Sequence, residues 1–193
     1  MPVITNNLIS FLRQYHIFDE KEKELISEYF MESSHKEGDY LFYCGHVPDE
    51  LFFISSGVLR ILVQNEKGNN VTHFFLKEDQ FCTILNNFTN GTVATESIQA
   101  ACNTQVFRIS KKQLEVLYLK IPAIESIIAQ TIQQTLLDKI LIRNSYLGQD
   151  STTKYRKFME QQPDIASRVS LSDIAAYLEI TPQSLSRIRR NMK

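Results

Sequence analysis

The constraint that most narrows the fold is a change of period. Between residues 39 and 109 the apolar residues come in short runs rich in Phe, Val and Ile, at 39–44, 50–55, 58–64, 71–76, 80–84, 96–101 and 104–109. Turn signals separate them: Glu37-Gly38-Asp39, Gly45-His46-Val47-Pro48, Ser56-Gly57, Lys67-Gly68-Asn69-Asn70 and Asn90-Gly91. Many strand-length runs at close spacing, with no helices between them, predict an antiparallel roll or barrel. Within it, Gly57–Phe75 reads as a hairpin turning at residues 66–69.

On both sides the period is helical. Leu8, Phe11, Leu12 and Tyr15 repeat at helical spacing, and Leu25, Ile26 and Phe30 mark a second helix from Glu20. Ser110 opens a short helix ending near Ile121-Pro122. From Pro122, a natural first-turn proline, a stripe runs through Ile124, Ile127, Ile128, Ile132, Leu136, Leu137, Ile140 and Leu141 to about Leu147. A helix of ~25 residues is nearly ~40 Å long and outruns a domain of this size. Its wide apolar surface predicts packing on its own domain and on a second copy of the chain at once; a core helix of one large monomer is the competing reading. Gly148 to Thr153 combines a helix stop with N-cap candidates and reads as a hinge, followed by a helix at 153–162 and a break at Pro163-Asp164. The expected fold is α+β: an N-terminal antiparallel β-roll (a double-stranded jelly roll) with flanking helices at 1–121, a dimerisation helix at 122–148, and a helix-turn-helix domain at 149–193.

Charge sharpens the division. The chain is near neutral at −1, but residues 1–150 hold 13 basic and 18 acidic side chains, and residues 151–193 hold 8 and 4. A basic end on an acidic body predicts a polyanionic partner for that end alone, against the plainer reading of a solvated tail. No apolar stretch approaches the ~20 residues of a membrane span, and residues 1–12 lack the pattern of a secretory signal, so a soluble, cytoplasmic protein is expected. The three cysteines, Cys44, Cys82 and Cys102, are far apart and form no Cys-x-x-Cys, indicating neither a disulfide framework nor a thiolate zinc site.

The last 24 residues are the most informative. Ser170-Leu171-Ser172-Asp173 fits a capping box, and Ile174, Ala175 and Leu178 give the following helix an apolar side. Thr181-Pro182 supplies an N-cap and first-turn proline for a second helix, so the pattern is helix, short turn, helix. At about 100° per residue, Leu185, Ile188 and Met192 share one side and Gln183, Arg187 and Arg190 the other. In a helix-turn-helix the exposed side of the second helix enters the major groove. Gln bridges adenine N6/N7 and Arg bridges guanine O6/N7, making Gln183, Ser184 and Arg187 candidate base readers. Arg189, Arg190, Lys193, Ser170 and Thr181 are placed for phosphates. The alternative is an amphipathic helix with a solvated basic face.

Residues 37–85 (EGDYLFYCGHVPDELFFISSGVLRILVQNEKGNNVTHFFLKEDQFCTIL) resemble the cyclic-nucleotide-binding β-roll of Crp/Fnr transcription regulators, with Gly38, Gly45, Gly57 and Gly68 where that roll turns. The end, LSDIAAYLEITPQSLSRIRRNMK, is similar to the helix-turn-helix of the same regulators, especially a short type of Bacteroidetes-like genomes. The resemblance implies a homodimer on double-stranded DNA with a pseudo-palindromic operator, acting on RNA polymerase. Relatives that bind cyclic AMP carry Gly-Glu and Arg-Ser or Arg-Thr in a phosphate-binding cassette; here Thr83-Ile84 and Ala94-Thr95 stand there. Without the arginine a buried phosphate would be an unpaired charge, so neither cyclic AMP nor cyclic GMP is expected to bind. A different, less anionic effector near Phe81, Cys82, Thr83, Ile84, Ala94, Thr95 and the start of the long helix, or a purely structural roll, are the readings left open. Glu179 stands where the turn between the two helices usually has glycine, at a cost of about 1 kcal/mol, and the chain ends right after the second helix, which predicts modest DNA affinity.

No cysteine precedes Cys44, so an iron–sulfur cluster of the Fnr kind is not expected; the four histidines show no haem-binding spacing, and no cofactor or catalytic constellation is expected. Two readings from other classes compete. One is a cupin-like metalloenzyme, since Cys44, His46, Glu50 and Gly57, with His73, partly mimic a cupin metal motif. The other is a sensor dimer acting through protein contacts only, against which the Arg187 and Arg190 face argues.

Overall fold

The computed structural model describes residues 6–65 and 68–192. Helices α1 (Asn6–Leu12) and α2 (Glu20–Tyr29) lead into the roll, α2 entered through a complete capping box between Asp19 and Glu22. Eight strands follow: β1 (Met31–His35), β2 (Tyr40–Phe42), β3 (Glu50–Ser56), β4 (Leu59–Gln64), β5 (Asn70–Leu76), β6 (Phe81–Cys82), β7 (Ser97–Ala100) and β8 (Thr104–Ser110), with a one-and-a-half-turn helix α3 (Leu85–Asn90) between β6 and β7. They form two antiparallel four-stranded sheets, ordered β1-β8-β3-β6 and β2-β7-β4-β5. The two sheets close on a core of Phe52, Ile54, Leu59, Ile98, Ala100 and Val106. This is the expected double-stranded jelly roll. The β4–β5 hairpin pairs Leu59 with Leu76 through Gln64 with Asn70; part of its expected turn, residues 66 and 67, lies outside the described residues.

Two elements depart from the expected order. β1 begins at Met31, within a stretch too polar (Met-Glu-Ser-Ser-His) to carry a strand signal; its ladder to β8, from Met31 opposite Arg108 to His35 opposite Thr104, is what makes it a strand. Helix α3 falls where no helix was expected. It is anchored by buried Phe88 and stopped by Gly91 in the left-handed region.

Ser110 caps α4 (Lys111–Lys120) with Gln113 in a reciprocal capping box. The long helix α5 (Pro122–Tyr146) has Pro122 in its first turn. Its apolar stripe divides along its length rather than around its girth. Ile124, Ile127, Ile128 and Thr131 are buried against α1, α2 and the roll. One to four turns further on, Leu136, Leu137, Ile140 and Leu141 are exposed, Leu141 to 67%. The C-terminal helices α6 (Ser151–Gln161), α7 (Pro163–Ala166), α8 (Leu171–Leu178) and α9 (Pro182–Asn191) follow. Gly148 takes the left-handed conformation at the end of α5, and Asp150 caps α6 by accepting from the Thr152 and Thr153 amides.

Candidate functional site

Helices α8 and α9 make a helix-turn-helix whose geometry follows from its caps. The Ser170 hydroxyl accepts from the Asp173 amide at 3.1 Å. The expected return half of that capping box is not formed: the Asp173 carboxylate turns instead to the guanidinium of Arg60 on β4. At the other end of α8, Glu179 has φ 59° and ψ 40°, the left-handed conformation expected of the usual glycine, and its carboxylate meets Arg143 of α5 at 2.9 Å. Thr181 then accepts from the Ser184 amide at 3.1 Å and donates to the Ser184 hydroxyl at 3.0 Å.

Ile174, Ala175, Leu178, Leu185 and Ile188 fill the space between the two helices and α6. Gln183, Arg187, Arg189 and Arg190 all point into solvent, and none of the three arginines has a carboxylate partner among the described residues. Gln183, Ser184, Arg187, Arg190 and Asn191 line one shallow surface concavity. Ser184 is half-buried, with its hydroxyl engaged in the cap. Ser170 and Thr181 sit at the N-termini of α8 and α9, one on each side of the turn. Met192, expected on the apolar side with Leu185 and Ile188, is 48% exposed, at the C-cap just past the end of α9. Lys193 lies outside the described residues.

This module is seated on the roll. Val58, Phe75 and Ala101 of the roll share one apolar cluster with Tyr146, Tyr155, Phe158 and Tyr177. The Phe75 ring lies 5.1 Å from that of Tyr177, centroid to centroid. Around this cluster run ion pairs between the same two bodies: Arg60 with Asp173, Glu78 with Arg168, and Lys77 with Asp164. Gln162 donates to the Tyr146 hydroxyl at 3.1 Å inside the cluster, and burial raises both the Tyr146 and Tyr177 hydroxyls above their ordinary range.

A cavity of about 250 Å³ opens between the roll and α5. Three of the six residues expected around it line it, namely Phe81, Thr83 and Ile84; Cys82, Ala94 and Thr95 do not. Cys82 points into the intersheet core, where burial pushes its thiol up to about 12. Ala94 is also a core residue, and Thr95 faces solvent and donates to Glu96 at 3.2 Å. The Thr83 hydroxyl is taken by the Glu50 carbonyl. The helix wall is the middle of α5, Ile132 to Lys139, rather than its start. Lys139, His73 and Glu96 add charged or titratable groups that the motif comparison passed over. Lys139 donates to the Phe75 carbonyl, and burial lowers its ammonium to about 8. His73 is lowered by burial and by Arg143.

The cupin-like trio does not assemble: among the described residues no three His, Cys, Asp or Glu side chains converge as a metal site, and Glu50 pairs with Arg108 at 2.7 Å. No described helix is long and apolar enough to cross a membrane.

Residues 32–120 match the family model of the cyclic nucleotide-binding domain. The chain as a whole has the fold of Crp/Fnr regulators. The c-di-GMP-responsive global regulator CLP of Xanthomonas campestris aligns over 90% of this chain and 91% of its own, at 15% identity and a TM-score of 0.71. A putative Crp/Fnr-family transcriptional regulator from Eubacterium rectale aligns over 90% and 83%, at 16% identity and 0.66. A CooA mutant from Carboxydothermus hydrogenoformans aligns over 96% and 83%, at 17% identity and 0.66. At such identities the likeness is one of fold. No curated protein matches the sequence.

Proposed function

We propose that this protein is a cytoplasmic, homodimeric, sequence-specific DNA-binding transcription regulator, divided into a sensor roll (1–121), a dimerisation helix (122–148) and a DNA-binding domain (149–193). The observation that carries the reading is the unpaired basic face of α9, with Gln183, Arg187 and Arg190 projecting together from a helix-turn-helix built on the Ser170 and Thr181 caps. Gln183 and Arg187, with Ser184 beside them, read base edges. Arg189, Arg190, Lys193, Ser170 and Thr181 hold phosphates. The exposed Leu136, Leu137, Ile140 and Leu141 of α5 meet the same stripe of a second copy, and two-fold symmetry then demands an inverted-repeat operator. RNA polymerase is the partner through which such a regulator acts.

The roll is the sensor, and the cavity against α5 is where a small effector other than a cyclic nucleotide binds. Cyclic AMP and cyclic GMP are excluded by the side chains at the cassette positions: buried, apolar Ala94 stands where an arginine would pair the phosphate, and Thr95 turns outward. No catalytic role is assigned. Selection from random duplexes on the purified protein tests the reading. It is supported by an enriched inverted repeat that an Arg187→Ala variant fails to enrich; enrichment of nothing by the wild type counts against it.

A further inference from the structure

Lys139 is the unusual group of the cavity. It projects from the middle of a helix whose neighbouring positions 136, 137 and 140 are all aliphatic. Its side chain is partly covered, and its ammonium has no carboxylate within ion-pair distance among the described residues. An ammonium carries three donors. The Phe75 carbonyl accepts one, and no other described protein group accepts either of the remaining two. The titratable neighbours that Lys139 feels are the buried Cys82 thiol, then Asp138 beside it on the helix and Lys77; the Glu96 carboxylate of the cavity acts on His73 instead. The walls between these groups are apolar, from Ile61, Phe74, Leu76, Phe81, Ile84 and Ile132. A charge in such a place is costly unless a counter-charge completes its hydrogen bonding.

We propose that the effector is a small, mostly apolar carboxylic acid whose carboxylate accepts the two free Lys139 donors and whose hydrocarbon body fills the cavity. This rests on the reading of the cavity as the sensor site. One cation with two open donors matches one carboxylate with two oxygens. It does not match a phosphate monoester, whose second charge would stay unpaired; Asn86, Asn87 and Thr135 also line the cavity, but most of its surface is apolar and suits a hydrocarbon body better than a sugar or a purine. Size follows from volume: an apolar cavity of ~150 Å³ holds benzene, six non-hydrogen atoms, so about 250 Å³ suits about ten. The expectation of a less anionic ligand came from the cassette alone; the long helix supplies the cation that the cassette lacks.

The experiment is calorimetric titration of the full-length protein with octanoate, which has ten non-hydrogen atoms, and with octanamide, its neutral counterpart of equal size, without DNA. Octanoate is expected to bind one per chain, about tenfold tighter than octanamide, the margin of charged over neutral hydrogen bonding. In Lys139→Met the two are expected to bind equally; the octanamide comparison on wild-type protein stands even if that variant folds poorly. Equal affinities in the wild type, no binding of either, or a preference that survives in a folded Lys139→Met protein overturns the proposal. Cyclic AMP is titrated in parallel. Its binding in preference to octanoate overturns both the acid and the exclusion of cyclic nucleotides while leaving a sensor cavity, and octanoate binding by a protein that enriches no DNA sequence leaves the acid and overturns the regulator.

Discussion

Arg60 on β4 and Asp173 in the first turn of α8 form an ion pair across the junction of the roll and the helix-turn-helix, with 18% and 15% of their side chains exposed. The pair is held further by Gln99, which accepts from the Arg60 guanidinium at 2.9 and 2.6 Å. Removing one member leaves the other covered and unpaired. Asp173→Ala is expected to cost about 2–3 kcal/mol in chemical denaturation, and Arg60→Ala/Asp173→Ala less than the sum of the single changes. Strict additivity would show that the pair is not coupled.

A second bridge across the same junction sets a pH dependence. Burial pushes the Glu78 carboxyl up, but two hydrogen bonds from Arg168, at 2.5 and 3.0 Å, and one from the Gly57 amide at 2.6 Å outweigh it and hold the group below its ordinary 4.5. Because the folded value is the lower one, the stabilisation is present above pH 4.5 and is lost as pH falls through the folded value. Denaturation midpoints followed from pH 6 to 3 are expected to fall more shallowly for Glu78→Gln than for the wild type; parallel curves would contradict the linkage.

Gly57, at the turn from β3 to β4, has φ +97°, and a Cβ there would meet the Thr104 hydroxyl at 2.5 Å and the Asn103 carbonyl at 2.6 Å. Both the conformation and the space exclude a side chain. Gly57→Ala is expected to destabilise the roll by at least about 2 kcal/mol, whereas Gly68→Ala, with open space around its Cβ, pays only for its own positive φ.

Glu179 offsets its left-handed backbone with an exposed pair to Arg143. Each of the two opposing effects is worth about 1 kcal/mol or less. Glu179→Gly is therefore expected to leave stability within about 1 kcal/mol of wild type. Glu179→Val, which loses the pair and adds a β-branch, is expected to be clearly less stable; the ranking is read from urea midpoints.

The helix-turn-helix was legible because its signals are local: Ser170, Thr181-Pro182 and the apolar spacing each act within one turn of helix. The jelly-roll strands were legible for the same reason, as short apolar runs set between turn signals. What the sequence withheld was set by partners far along the chain. β1 is a strand because β8 lies beside it, and Asp173 leaves its own helix cap because Arg60, 113 positions earlier, offers a full charge. Lys139 carried a signal that could have been read, a single lysine within an aliphatic stripe, but its relation to Phe75 depends on how α5 lies across the roll. Of the cassette positions, 83–84 line the cavity and 94–95 do not, and the long helix closes it with its middle rather than the start that was expected.

Sequence reading by α9 is tested by the affinity of the wild type and two variants for the selected inverted repeat and for a scrambled duplex, at low and at physiological salt. Arg187→Ala is expected to lose most of the preference for the repeat, at about 1–3 kcal/mol per half-site. Arg190→Ala is expected to weaken both duplexes alike and to lower the salt slope by about one. Wild-type protein that binds the repeat and the scrambled duplex equally at both salt concentrations would contradict sequence reading by α9.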